Sequence, residues 1–263
     1  MPMHNKVVNG VRDFGVTKGA TGPHIIECDD GKKYVVKFAD NTKTAVNEFV
    51  GHALAQAVGL PVPDAALVVL GADLVGASSD LTYRVVGAGP HIGSELIPDV
   101  MDFDQFGRLR QQQVVELSNA GALPGTVCHD NWVLTRDRDR SDNHLVQALN
   151  GEFRYAMVDF THAFTGPAWT ADAIEQGSYL RVLMPVHPFV AVSVTGVESV
   201  EPTLGKVEAV MDSELEEIVS AIPQSWGMAE EERLLLVNFL ELRRGLVRGV
   251  LTSNRARFPN WRD

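Results

Sequence analysis

Residues 130–160 read DNWVLTRDRDRSDNHLVQALNGEFRYAMVDF. Charges of alternating sign crowd the interval from Arg136 to Asp142, an apolar segment precedes them, and two apolar runs follow. Asn150-Gly151 between HLVQAL and FRYAMVDF is a hairpin signal, because both turn positions must accept positive φ. The two runs are therefore expected to pair and to deliver Asp159 at the far end. A solvated loop is the ordinary reading of such a charge run, but it gives no reason for the apolar flanks. Phosphoryl transfer gives one. It needs an Asp to orient the acceptor hydroxyl, an Asn and a second Asp to hold Mg²⁺, and a Lys on the phosphates. Asp137, Asn143 and, across the hairpin, Asp159 supply those groups in that order. Mg²⁺ takes few protein oxygens, with water and phosphate completing its shell.

Working outward, His24–Phe38 reads as a second hairpin, HIIEC and KYVVKF around the turn Asp29-Asp30-Gly31-Lys32. Lys37 alternates with Val35 on one face of its strand, while Tyr34, Val36 and Phe38 take the other. A lysine there either faces a cleft or snorkels from an edge. Just upstream, Gly15-Val-Thr-Lys-Gly19-Ala-Thr-Gly22 has the glycine content of a loop whose N–H groups approach phosphates, without either standard phosphate-loop spacing. A flexible turn is the alternative. From Thr44 to Gly59, Val46, Phe49, Val50, Ala53, Leu54, Ala57 and Val58 recur at three- and four-residue intervals, a helix ended by Gly59 and Pro61. Glu48 falls roughly opposite that stripe. This suits an ion-pair partner for Lys37 and equally a solvated first-turn glutamate.

Strands are expected at 65–70 (AALVVL) and 81–86 (LTYRVV), and helices at 105–119, 126–134, 213–222 and 230–254. The first 98 residues thus read as a mixed sheet carrying one helix, and residues 99–263 as mainly helical around the 144–160 hairpin. The class is α+β.

Lys plus Arg total 23 against 34 Asp plus Glu, a formal charge of −11. Nothing global attracts polyanions, so no nucleic-acid partner is expected and any phosphate must be held locally. Cys28 and Cys128 form neither a disulfide framework nor a metal motif. With no apolar run of membrane-spanning or signal-peptide length, no membrane partner and a cytoplasmic location are expected. The doublet His129-Asp130, with His52 or His91, suggests a metal-dependent phosphohydrolase, but that fold is helical throughout and the strands at 24–38 and 144–160 oppose it. The remaining histidines have no ligand spacing.

The sequence resembles the HipA-like kinases, particularly their shorter, single-module members. The likeness is carried by YVVKF (34–38), NEFVGHALAQAVGLPVPDAALV (47–68), HIGSELIPD (91–99), DNWVLTRDR (130–138), DNHLV (142–146) and YAMVDF (155–160). It spans roughly residues 15–165. The resemblance implies a two-lobed protein-kinase-like fold using ATP and Mg²⁺. It implies that Lys37, positioned by Glu48, contacts the α- and β-phosphates, and that Gly19, Ala20, Thr21 and Gly22 cover them. Ser94, Glu95 and Leu96 would meet adenine near the hinge. Asp137 would be the catalytic base, with Asn143 and Asp159 as metal ligands. The interval from Asp137 to Asn143 is one residue longer than the commonest spacing, so Asp142 is an alternative ligand. Thr135 stands where such loops often have Asn, and Phe160-Thr161 where relatives often have His-Gly.

The expected activity is transfer of the ATP γ-phosphoryl group to a hydroxyl, that of a protein serine or threonine first. A small-molecule kinase shares the same cleft. A pseudokinase serving as a nucleotide- or partner-binding module is the reading of another class, motivated by those departures. Self-association is left open.

Overall fold

The computed structural model describes residues 6–17, 21–39, 43–175 and 181–262. Five strands close a barrel: β1 (Val7–Val16), β2 (His24–Cys28), β3 (Lys33–Lys37), β4 (Ala65–Leu70) and β5 (Gly89–Glu95), in the order β1-β2-β3-β5-β4. β1 and β4 run parallel and the other neighbours antiparallel. Alternation puts Ile26, Tyr34, Val36 and Val68 inside, each fully buried, and leaves Val35 and Lys37 facing outward. So narrow a barrel cannot take a large residue at every inward position. A Cβ at Gly93 would stand 2.6 Å from Val68 Cγ2 and 3.0 Å from Tyr34 Cβ.

α1 (Thr44–Ala57) follows β3 as expected and is buried from Thr44 to Ala55, with Asn47, Glu48 and His52 included. The barrel strand β5 and two later helices (Leu123–Val133 and Asp212–Ser220) all contact it, and with every residue from 44 to 55 buried the apolar stripe marks only part of its covered surface. Two further helices precede the end of the barrel, α2 (Ala72–Ala77) and α3 (Ser79–Tyr83). The expected single helix is therefore three, and the expected strand at 81–86 is instead the end of α3 followed by a turn. Ser78 caps α3 by accepting from Leu81 N, and only Leu81 of that run is buried; Tyr83 and Val85 lie out in solvent. An aromatic and a β-branched residue with no sheet to cover do not make a strand. The pairing role falls to β5, which two glycines and a proline disguise in the sequence.

The remainder begins with β6 (Val100–Asp102), α4 (Phe103–Gln112) and α5 (Leu123–Val133), followed by β7 (His144–Leu149) and β8 (Glu152–Met157). The last two join β6 in a three-stranded sheet. Asn150 and Gly151 both take positive φ at the β7–β8 turn. α4 ends earlier than expected; its continuation is extended and bridges β8, with Ser118 N donating to Phe153 O. Beyond lie α6 (Ala171–Glu175), α7 (Pro188–Ala191), α8 (Val197–Ala209), α9 (Asp212–Ser220) and α10 (Glu230–Ser253). α8 escapes sequence patterning because Pro202 lies inside it. α5 is buried along its whole length against α8 and α10, and Trp132 Nε1 donates to Leu240 O at 2.9 Å. The rigidity of α5 matters because the Asp137 loop leaves from its end. No described helix is long and apolar enough to cross a membrane.

Candidate active site

Lys37 ends β3 on the outward face of the barrel, and its ammonium is surrounded. It pairs with Glu48, with Asp159 Oδ1 at 2.8 Å, and donates to Thr161 Oγ1 at 3.0 Å. The pair expected between Lys37 and Glu48 is formed. Glu48 reaches further: its Oε1 accepts from Phe160 N at 2.8 Å and from Thr161 Oγ1 at 2.9 Å. The α1 carboxylate thus ties the lysine to the chain just after Asp159.

Electrostatics follow from this crowding. Burial alone would lower Lys37, but the Glu48 and Asp159 carboxylates outweigh it and hold the amine above the ordinary lysine value. Burial would raise Asp159, and Lys37 overrides it, leaving the carboxyl far below the usual range. Glu48 is lifted by burial, because it shares its one cation with Asp159. Asp159 sits at φ 63°. Aspartate is among the few residues that visit this left-handed region, so the bend falls on Asp159 itself. No glycine is needed where Phe160-Thr161 depart from the relatives.

Asp137 lies on the loop that leaves α5 through Leu134, itself left-handed at φ 54°. Its Oδ1 is buried with no hydrogen-bond partner among the described residues. Burial raises its pKa, and the nearby charge of Asp159 raises it further. Asn143 Nδ2 donates to the Asp137 carbonyl at 2.9 Å, which turns the amide oxygen away from that bond. Asp142 is engaged in a two-toothed pair with Arg140 (3.0 and 2.7 Å) and is largely exposed.

One cleft of about 380 Å³ brings most of these groups together. Lys37, Glu48, Asp142, Asn143 and Asp159 line its polar end. Val35, Ile92, Leu96, Val100, Leu145 and Val158 line the apolar part, and Ser94 and Glu95 border it. Asp137 is not in that lining; it joins the site through Asn143 and its repulsion with Asp159. Thr21 lines the cleft, and Arg84 donates to the Thr21 carbonyl at 2.8 Å and to that of Gly22. Gly19 and Ala20 lie outside the described residues.

Sequence reasoning missed Asn47 and Thr161. Asn47 Nδ2 donates to the carbonyls of Thr161 (2.7 Å) and Ala163 (2.9 Å), and Oδ1 accepts from Trp169 Nε1 at 2.8 Å. Its position next to Glu48 on a helix was the only available signal. The His129-Asp130 doublet holds no metal constellation: His129 Nε2 donates to Gly51 O at 2.9 Å, and Asp130 pairs with Arg138. No group of three or more His, Cys, Asp or Glu poised for a metal occurs among the described residues.

Solved structures share this architecture. The chain superposes on the crystal structure of a Helicobacter pylori proinflammatory kinase, CtkA, with a TM-score of 0.60 at 13% identity, covering 92% of this chain and 94% of that one. Hydra Fam20 with sugar follows at a TM-score of 0.50 and 12% identity, covering 94% and 86%. At such identities the likeness is one of fold. No curated protein sequence matches the chain. The sequence model of the HipA-like kinases, however, matches residues 11–250. A match over nearly the whole length, on a kinase-like fold, places this phosphotransferase in the HipA-like kinase family.

Proposed function

We propose that the chain transfers the γ-phosphoryl group of ATP, with Mg²⁺, to the hydroxyl of a protein serine or threonine. The observation that carries this reading is the convergence of Lys37, Asn143 and Asp159 on one cleft, beside an Asp137 oxygen that is buried and unbonded. On this reading residues 1–98 cover the nucleotide and residues 99–263 carry the catalytic loop. The apolar part of the cleft suits a purine, with Ser94–Leu96 meeting it through backbone groups. Lys37 holds phosphate oxygens as a point charge. The donors available to a metal, the Asp159 carboxylate and the Asn143 amide oxygen, are hard oxygens, which fit Mg²⁺. When bound, that ion neutralises charge on the transferring group. Asp137 takes the hydroxyl proton on its open oxygen, and its raised pKa makes it a better base than an ordinary aspartate. The buried free thiols Cys28 and Cys128 accord with a reducing, cytoplasmic setting.

The test is ATP turnover and autophosphorylation of wild type and Asp137→Ala with Mg²⁺. A loss of about 100-fold or more is expected. Equal activity removes Asp137 from its role, and tight ATP binding by the wild type without transfer to any acceptor establishes a pseudokinase.

A further inference from the structure

Arg138 directly follows Asp137 and turns into the protein, where it is 1% exposed. Its Nε donates to Asp130 Oδ1 at 3.1 Å, anchoring the guanidinium to α5. Nη1 donates to the carbonyls of Asn143 (3.1 Å) and Val158 (2.6 Å), and Nη2 to that of Asp159 (3.1 Å). The same guanidinium lies over the Phe160 ring, 5.2 Å from its centroid. One planar group therefore spans α5, the end of the 137–143 loop and the chain leaving β8.

A buried arginine usually needs no explanation beyond satisfied hydrogen bonds. Here the choice of acceptors is informative. Two of the three carbonyls belong to Asn143 and Asp159, the residues placed on the metal, and the third immediately precedes Asp159. The N–H directions of a guanidinium are fixed in one plane, so its four bonds set where those two backbones sit relative to each other and to α5. The Asp159 carbonyl that Nη2 holds is that of the residue in the left-handed turn.

We propose that Arg138 is a positioning residue for the metal: through backbone carbonyls alone it fixes the spacing of Asn143 and Asp159, without touching substrate. This rests on the phosphoryl-transfer reading above. Arg138→Lys keeps a cation opposite Asp130 but replaces a rigid fork with one point donor group. Three measurements on the full chain separate positioning from simple stability. They are ATP affinity by calorimetry in EDTA, Mn²⁺ affinity of the ATP complex by electron paramagnetic resonance, and turnover with Mg²⁺.

In Arg138→Lys, metal-free ATP affinity should stay within about three-fold, because Lys37 and the apolar cleft are untouched. Mn²⁺ affinity should fall about 10- to 100-fold, the usual cost of disturbing the groups that orient metal ligands, and kcat should fall at least as far. Wild-type Mn²⁺ affinity in the variant overturns the proposal. So does an equal loss of metal-free ATP affinity, which marks a general structural defect. If Arg138→Lys fails to fold, Asp130→Asn keeps the guanidinium but loosens its anchor. It should show the same split between ATP and Mn²⁺ affinity, and either of the two contrary results overturns the proposal there as well. Wild-type protein that binds neither ATP nor Mn²⁺ refutes the kinase reading itself, and this inference with it.

Discussion

Adding one methyl group at position 51 tests how tightly α1 governs the site. A Cβ on Gly51 would stand 2.7 Å from Phe160 Cβ, 2.9 Å from Cγ and 3.0 Å from Cδ1, about 0.7 Å inside ordinary contact. The Phe160 ring cannot slide away. It meets His52 and His129 edge-on, with centroids 5.8 and 5.3 Å away, and Arg138 covers it. The backbone must move instead. Phe160 N donates to Glu48 at 2.8 Å, and a retreat of that size stretches the bond beyond useful range. Overpacking costs about 1–3 kcal/mol and a lost bond to a charged group about 1.5–3 kcal/mol. Together these come to about 2.5–6 kcal/mol, which lowers the melting temperature of a chain this size by roughly 5–24 °C. Because Asp159 is the next residue back, kcat should fall by roughly 100-fold, the scale expected for a misplacement approaching 1 Å. Thermal melts and turnover at saturating ATP read both quantities. Gly76→Ala is the control, since nothing lies within 4 Å of its added Cβ, and it should be neutral or mildly stabilising. If Gly51→Ala melts within about 1 °C of wild type and keeps its kcat within about two-fold, the coupling of α1 to Asp159 through Phe160 is refuted.

Two further outcomes are expected. Asn143→Ala should cost about 100-fold in turnover and Asp142→Ala only a few-fold, because Asp142 is occupied with Arg140; the reverse order would move the metal position to Asp142. Two buried histidines should also make stability fall in mild acid. Burial lowers the pKa of His52 to about 4 and that of His144 to about 3. As pH falls below about 6.5 the unfolded chain takes up protons that the folded chain refuses. Each histidine then removes about 1.4 kcal/mol per pH unit until its folded pKa is reached. Melts between pH 7 and 5 should show this, less steeply for His52→Gln, and a flat profile would contradict it.

Much of the site was legible because strands print their faces every second residue. Lys37 and Val35 shared a face opposite Tyr34 and Val36, and that face proved to be the cleft wall. Asn150-Gly151 announced the β7–β8 hairpin through the positive φ both residues adopt. Glu48 stayed ambiguous because a helical wheel assumes one wet side, and α1 has none over most of its length. β5 was hidden by the glycine that the narrow barrel demands, and α8 by its internal proline. The anchoring by Asn47 and Thr161 left no trace beyond the place of Asn47 beside Glu48, since their partners lie more than 100 positions away in the chain. Only the fold brings them together.

The ammonium of Lys37 is already surrounded, hydrogen-bonded to Glu48 and Thr161 and ion-paired with Asp159. On the proposed reading, a triphosphate entering the cleft gains this lysine by exchange, displacing a partner already in place. A nucleotide arriving without a cation must compete with two carboxylates for one amine. A nucleotide that brings its own metal offers Asp159 a substitute counter-ion and releases the lysine in the same event. The cleft thereby selects for the paired ligand, favouring nucleotide and metal together over either alone.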